Sequence, residues 1–235
     1  MAAQEDPHTE DLAVTEHEPV LVTLDGGRGT GKSWAASALR SRFGCAVVEL
    51  GPLFRMAAWL SRQLCDAQYL LVTLDLMSHL LEVGHLKVDV DCGTDFTAMS
   101  LLYYKTPLGV ELWEPLLDSD VKAFASDPVS VAWVRSLAAS LTTGRNAIVV
   151  GRDAGSRFFP DADLKFELRA QEQVRRLRKA EQVGTDMDID RSEPVAIWPT
   201  LQGTIVIDTT ARVREEVVEM LSEVIVQRLG WSASR

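Results

Sequence analysis

Residues 20–33 read Val20-Leu21-Val22-Thr23-Leu24-Asp25-Gly26-Gly27-Arg28-Gly29-Thr30-Gly31-Lys32-Ser33. The first six form a short apolar run that breaks into glycine, as expected of a strand buried on both faces of a parallel sheet. The last eight fit G-x-x-x-x-G-K-[ST], and Trp34, Ala35, Ala38 and Leu39 then recur at helical spacing towards Phe43. The order is strand, glycine-rich loop, helix. In that context the glycines let backbone N–H groups turn inward as an anion-binding nest, and the helix N-terminus adds its positive end. The loop Gly26, Gly27, Arg28, Gly29, Thr30, Gly31, Lys32 and Ser33 is therefore expected to hold nucleotide phosphates. Lys32 would reach the β/γ-phosphates and the Ser33 hydroxyl would ligate Mg²⁺, with ATP as phosphoryl donor.

Working outward, Ala46–Leu50 completes a strand–helix–strand unit, and Ala147–Val150, Leu164–Leu168 and Thr204–Ile207 supply three more strands. Helices fit Ala170–Gln182 and Val213–Leu229, and the leucine-rich run Tyr69–Leu81 suits a buried helix. Strands alternating with helices predict an α/β P-loop three-layer fold around a parallel sheet. Between about residues 85 and 117, Leu86–Asp91 alternates apolar and polar and Met99–Tyr104 is β-prone. That stretch predicts a small antiparallel β insertion. Residues 19–235 are expected to form one kinase domain, preceded by a flexible acidic arm over 1–18 and carrying a shortened lid at about 179–193.

Composition bounds the rest. The chain has 235 residues, 46% hydrophobic and 25% charged, which is ordinary for a globular protein and excludes fibrous or wholly disordered classes. The net charge of −10 argues against general binding to nucleic acid or to an anionic membrane. Six of the acids lie in residues 1–19, which hold no Lys or Arg, leaving 28 acids against 24 bases in the remainder. The body is near balance, so a local cationic site for an anionic substrate is compatible with the total. Three widely spaced cysteines, Cys45, Cys65 and Cys92, give neither a disulfide framework nor a zinc pattern. No apolar run is long enough to span a bilayer and the N-terminus has no secretory pattern, so a cytoplasmic protein is expected. A monomer or weak homodimer is expected, with no nucleic acid or membrane partner.

A phosphate loop alone does not separate kinase, GTPase and motor. Four further segments do: Leu24-Asp25-Gly26 entering the loop, Glu49-Leu50-Gly51-Pro52-Leu53-Phe54-Arg55, Gly151-Arg152-Asp153-Ala154-Gly155 with Phe159-Pro160-Asp161-Ala162, and Ile207-Asp208-Thr209-Thr210. With these the sequence resembles the bacterial cytidylate kinases of the nucleoside monophosphate kinase family, over roughly 20–60 and 117–228. The resemblance implies ATP-dependent phosphoryl transfer to a cytosine nucleotide, CMP, dCMP or a close analogue. It implies that Arg55 holds the acceptor's phosphate, that Ser126, Arg135 and Asp153 face the cytosine ring with Arg152 beside them, and that Asp190 meets the sugar. It places Arg175 and Arg178 as catalytic arginines that offset charge on the transferring group.

Other readings of the same residues stand beside these. Arg152 and Asp153 also suit a structural ion pair at a strand end. Arg175, Arg176, Arg178 and Lys179 suit a solvated helix face, and Ser126 suits a helix cap before Asp127-Pro128. The departures from the family pattern bear on activity. The loop ends Gly31-Lys32-Ser33-Trp34 where the family has G-K-G-T, Leu50 replaces the serine of D-S-G, and Val150 replaces the acid before G-R-D. Asp190-Arg191-Ser192-Glu193 replaces D-R-x-R, and only ten residues separate Lys179 from Asp190. At least two phosphate-directed arginines are missing. A kinase acting on a small-molecule hydroxyl, or a non-catalytic nucleotide-binding relative, therefore remain the alternatives to a specialised cytosine nucleotide kinase.

Overall fold

The computed structural model of the chain describes residues 18–64, 70–91, 98–183 and 200–233. The elements run β1 (Leu21–Gly26), α1 (Lys32–Phe43), β2 (Ala46–Glu49), α2 (Leu50–Gln63), α3 (Leu70–Glu82), β3 (Leu86–Asp89), β4 (Ser100–Tyr103) and β5 (Thr106–Pro107). They continue with α4 (Asp118–Ser126), α5 (Pro128–Thr142), β6 (Ala147–Gly151), β7 (Leu164–Arg169), α6 (Glu172–Val183), β8 (Ile205–Asp208) and α7 (Arg214–Leu229). Five strands make one sheet in the order β2-β6-β1-β7-β8, every neighbouring pair parallel. Strand β1 sits at its centre, so the loop that follows it leaves from the middle of the sheet's C-terminal edge. In open parallel sheets ligands gather along that edge.

Strand periodicity sorts the core into two layers. Ala147 and Val149 of β6, with Ala46 and Val48 of β2, face α2, α3, α4 and α5. Ile148, Val150, Val47, Val22 and Leu24 face the other way, onto Leu39 of α1 and Val217, Leu221 and Ile225 of α7. Alternate residues of each strand thus serve opposite layers, which is why the strands read as continuous apolar runs. The three-layer α/β architecture is the one expected from the sequence.

The insertion is also as expected: β3, β4 and β5 form an antiparallel sheet, with Leu86 opposite Tyr103 and Asp89 opposite Ser100. Two points differ. Helix α3 is only half covered: Thr73, Leu74, Met77 and Leu80 are buried, but Leu71 and Val72 are 60% and 55% exposed. Apolar composition on all sides does not oblige the fold to cover all sides. Helix α2, not assigned from sequence, begins at the Leu50-Gly51-Pro52 segment, because proline in a first turn gives up an N–H that has no intrahelical partner anyway. Among the described residues no helix is long and apolar enough to cross a membrane. The acidic arm up to residue 17, Cys65, Cys92 and the lid segment 184–199, with Asp190 and Glu193, lie outside the described residues. Cys45 is a buried thiol, which burial pushes up to about 12, so it stays protonated at neutral pH.

Candidate active site

The phosphate loop is shaped by its glycines and sealed by α6. Gly29 has φ +77°, and a Cβ there would lie 2.5 Å from the Arg175 carbonyl oxygen. Glycine is required twice over, by the left-handed backbone and by the helix pressed against it. The Thr30 hydroxyl donates to the Gly27 carbonyl at 2.9 Å and pins the turn. The Lys32 ammonium points into the loop, donating to the Gly26 and Gly27 carbonyls at 2.6 and 2.7 Å. Helix α1 starts at Lys32 with Gly31 as its cap and no capping side chain, so its first N–H groups face the loop.

Of the two arginines expected on α6, the structure brings one to the loop. Arg175 lies over Gly27 and donates to the Arg28 carbonyl at 3.4 Å. Arg178 instead ties α6 to the segment after β8: it donates to the Thr209 hydroxyl at 3.0 Å, the Thr209 carbonyl at 2.6 Å and the Arg212 carbonyl at 3.4 Å. Thr209 is itself 3.2 Å from the Thr30 carbonyl. Arg178 thus reaches the loop through Thr209, as a brace.

Two buried acids flank the loop. The Asp25 carboxylate, at the end of β1, accepts from the Ala154 and Gly155 amides at 2.5 and 2.9 Å. Burial lifts it to about 6, against the pull of those two bonds and of Lys32. Glu49, at the end of β2, accepts from the Ala98 amide at 2.7 Å and from the Ser33 side chain. Burial raises it too, opposed by the Ser33 and Ala98 bonds and then by the Lys32 and Arg40 charges. Neither acid was singled out as a site residue from sequence, although both end a strand within a quoted motif. An acid at the C-terminal end of a buried strand was the available signal.

On the acceptor side Arg55 of α2 is 8% exposed. It donates to the Leu112 carbonyl at 3.0 Å and to Asp118 Oδ1 at 2.6 Å, with its guanidinium 4.8 Å from the Trp113 ring centre. Asp118 Oδ2 lies 3.9 Å from Nη1 of Arg28, so one carboxylate joins the loop to Arg55. Asp153 is partly buried, and burial raises its carboxyl against the pull of Arg157 and then Arg152. The guanidinium that faces it belongs to Arg157, at 3.6 Å, which also donates to the Ala125 carbonyl at 3.0 Å and holds α4 against this turn. Arg157 was not anticipated, although an acid and an arginine four residues apart are a legible pair. Ser126 is exposed and donates back to the Lys122 carbonyl at 2.8 Å; the cap of α5 is Asp127. Arg135 is exposed on α5, and no hydrogen bond or ion pair among the described residues joins it to Asp153. Arg152 is exposed beside Asp153.

The family model for cytidylate kinase matches residues 22–227, nearly the whole of this chain. The chain belongs to the cytidylate kinase family. Among its relatives, the cytidylate kinase of Dichelobacter nodosus is 29% identical, the match covering 86% of this chain and 94% of that protein. That of Azotobacter vinelandii is 27% identical over 89% and 96%, and that of Rhodopirellula baltica 24% over 92% and 98%. The match runs nearly the length of these relatives.

The departures from the cytidylate kinase pattern now have physical settings. Leu50, in place of the motif serine, is buried, and its Cδ1 would be 2.9 Å from a Cβ placed on Gly151. Apolar packing has replaced a hydroxyl. Val150, in place of the acid, pairs with Glu49 across β6 and β2. Cross-strand partners in a parallel pair point the same way. Glu49, at the position of the motif's own acid, therefore stays on that side of the sheet, bonded to Ser33, while the second acid is absent from β6.

Proposed function

We propose that this cytidylate kinase family member transfers the γ-phosphoryl group of ATP to a cytosine nucleoside monophosphate. The observation that carries the proposal is the arrangement of the family's loop and its acceptor arginine about one carboxylate, Asp118. Lys32 and Arg175 lie on the donor side, and Arg28 bridges towards Arg55. The loop amides and Lys32 hold the donor phosphates. Arg175 offsets charge that spreads over the transferring group, and Arg178 keeps α6 in place. Ser33, steadied by Glu49, offers the hard oxygen ligand that magnesium takes alongside phosphate oxygens and water. Held there, magnesium would supply charge neutralisation for the donor phosphates.

Arg55 holds the acceptor's phosphate. One of that phosphate's oxygens forms the new bond to the γ-phosphorus while the bond to the ADP oxygen breaks. An ionised phosphate oxygen carries no proton to remove, so no general base is required. Positioning does most of the work. Asp153 reads the cytosine amino group, with Arg157 and Arg152 beside it as donors to the ring's acceptors, and Asp190 meets the sugar; roles for Ser126 and Arg135 at the base rest on the family resemblance alone. The test is ADP release from ATP and Mg²⁺ with CMP, dCMP, UMP and AMP as acceptors. Turnover with CMP or dCMP well above the other two is expected; equal rates with CMP and UMP would sink the base assignment.

A further inference from the structure

We propose that Asp118 is an internal anion seated where the acceptor's phosphate must bind, so that acceptor and Asp118 compete for Arg55. The inference rests on the acceptor-phosphate role of Arg55 given above. Its ground is geometric. Arg55 is all but buried, and each face of its guanidinium is assigned: a carbonyl at Leu112, the indole of Trp113, and the Asp118 carboxylate at 2.6 Å. Asp118 is the one partner that is both charged and displaceable, being 30% exposed at the first position of α4. The same carboxylate reaches Arg28 on the phosphate loop at 3.9 Å. Two guanidinium groups converging on one oxyanion is the arrangement a phosphate monoester takes, and a dianionic phosphate makes stronger charge-assisted bonds than a carboxylate.

Releasing Asp118 does not require α4 to leave. Two residues on, Asp120 is held by Arg62 of α2 at 2.5 Å, a second acid–arginine pair on the same pair of helices. Helix α4 stays anchored by that pair while the Asp118 side chain turns aside. Arg55 then becomes available on the acceptor side, with Arg28 facing it from the loop, when a phosphate arrives. Asp118 thereby sets a threshold: a ligand must carry a phosphate to open the pair, and a bare nucleoside gains nothing from doing so.

The test is calorimetric titration of the full chain and its Asp118→Asn variant with CMP, UMP, cytidine and inorganic phosphate. With the competing anion gone, the binding-competent state no longer has to be released first. CMP and phosphate should bind about tenfold more tightly to the variant, and cytidine should be unaffected. Asp118→Glu keeps the charge and should keep the wild-type affinity for CMP. Asp118→Ser serves the same comparison if the asparagine variant does not fold. Unchanged or weaker binding of both CMP and phosphate to the uncharged variant overturns the proposal, as does an equal gain with cytidine. If UMP and CMP bind alike and gain alike, the competition stands and the cytosine assignment fails, so the two results are told apart.

Discussion

Replacing Asp25 by asparagine tests the electrostatics of the loop through stability alone. Burial raises this carboxyl from an ordinary 3.8 to about 6. The folded state therefore binds its proton more tightly than the unfolded chain does, and stability from this group is greatest below about pH 4 and is lost as pH rises towards 6. Two units correspond to about 3 kcal/mol, roughly 2 of which fall between pH 4.5 and 7.5. Asparagine cannot ionise, so it escapes that loss. It offers only one acceptor oxygen to the two amides of Ala154 and Gly155, which costs about 1–3 kcal/mol at every pH. The variant should thus be clearly less stable than wild type at pH 4.5 and close to it, or above it, at pH 7.5. Urea unfolding of both proteins across that range measures the difference. Glu49 and Asp153 are also raised by burial and are common to both proteins; of the two, Asp153 couples to Asp25 through like charge. A stability difference that stays flat within about 1 kcal/mol from pH 4.5 to 7.5 would refute the reasoning.

Lys32→Ala should lower turnover with CMP by about 10²–10³ or more, because it removes the ammonium that lies in the phosphate loop, and circular dichroism should still show a folded protein. Wild-type turnover in that variant would count against the kinase mechanism. Gly29→Ala places a Cβ at positive φ and against the Arg175 carbonyl, so it should cost about 1–2 kcal/mol in urea unfolding and raise the KM for ATP. An unstrained variant would mean α6 does not press on the loop. Asp153→Asn should narrow the preference for CMP over UMP, since an amide tolerates the uracil oxygen that a carboxylate repels. Steady-state kcat/KM for the two acceptors decides it, and an unchanged ratio removes Asp153 from base reading.

What the sequence made legible was local. Residues 20–43 specify strand, loop and helix within one continuous stretch, and the alternation at Leu86–Asp89 specifies a strand whatever surrounds it. What it hid was the choice among partners. Arg55 was recognisable within its motif, but Asp118 lies 63 residues away on a helix that had not been assigned. Arg178 carried the same sequence signal as Arg175, a basic residue on one helix, and only the placement of Thr209 separates the brace from the residue over the loop. The pairing of Ser126 with Arg135 came from resemblance, and folding leaves both exposed while Arg157 takes the position facing Asp153.

The basic groups of the loop bear on how such a site meets a polyphosphate. Around the loop the basic groups already have partners: Lys32 on two carbonyls, Arg28 and Arg55 on Asp118, and Arg175 on the Arg28 carbonyl. Incoming phosphates must exchange with those partners, and the exchange is favourable because a doubly charged oxyanion outbids a carbonyl or a carboxylate for each guanidinium and ammonium. The acids left behind decide the remainder. Asp25 and Glu49 are both raised by burial, and negative charge arriving on the loop raises a neighbouring carboxyl further. A carboxyl already near 6 is within reach of taking up a proton at neutral pH, and once neutral it no longer opposes the phosphates. An arriving nucleotide thus meets basic groups that already hold partners, Asp118 among them, beside two acids whose carboxyls burial raises.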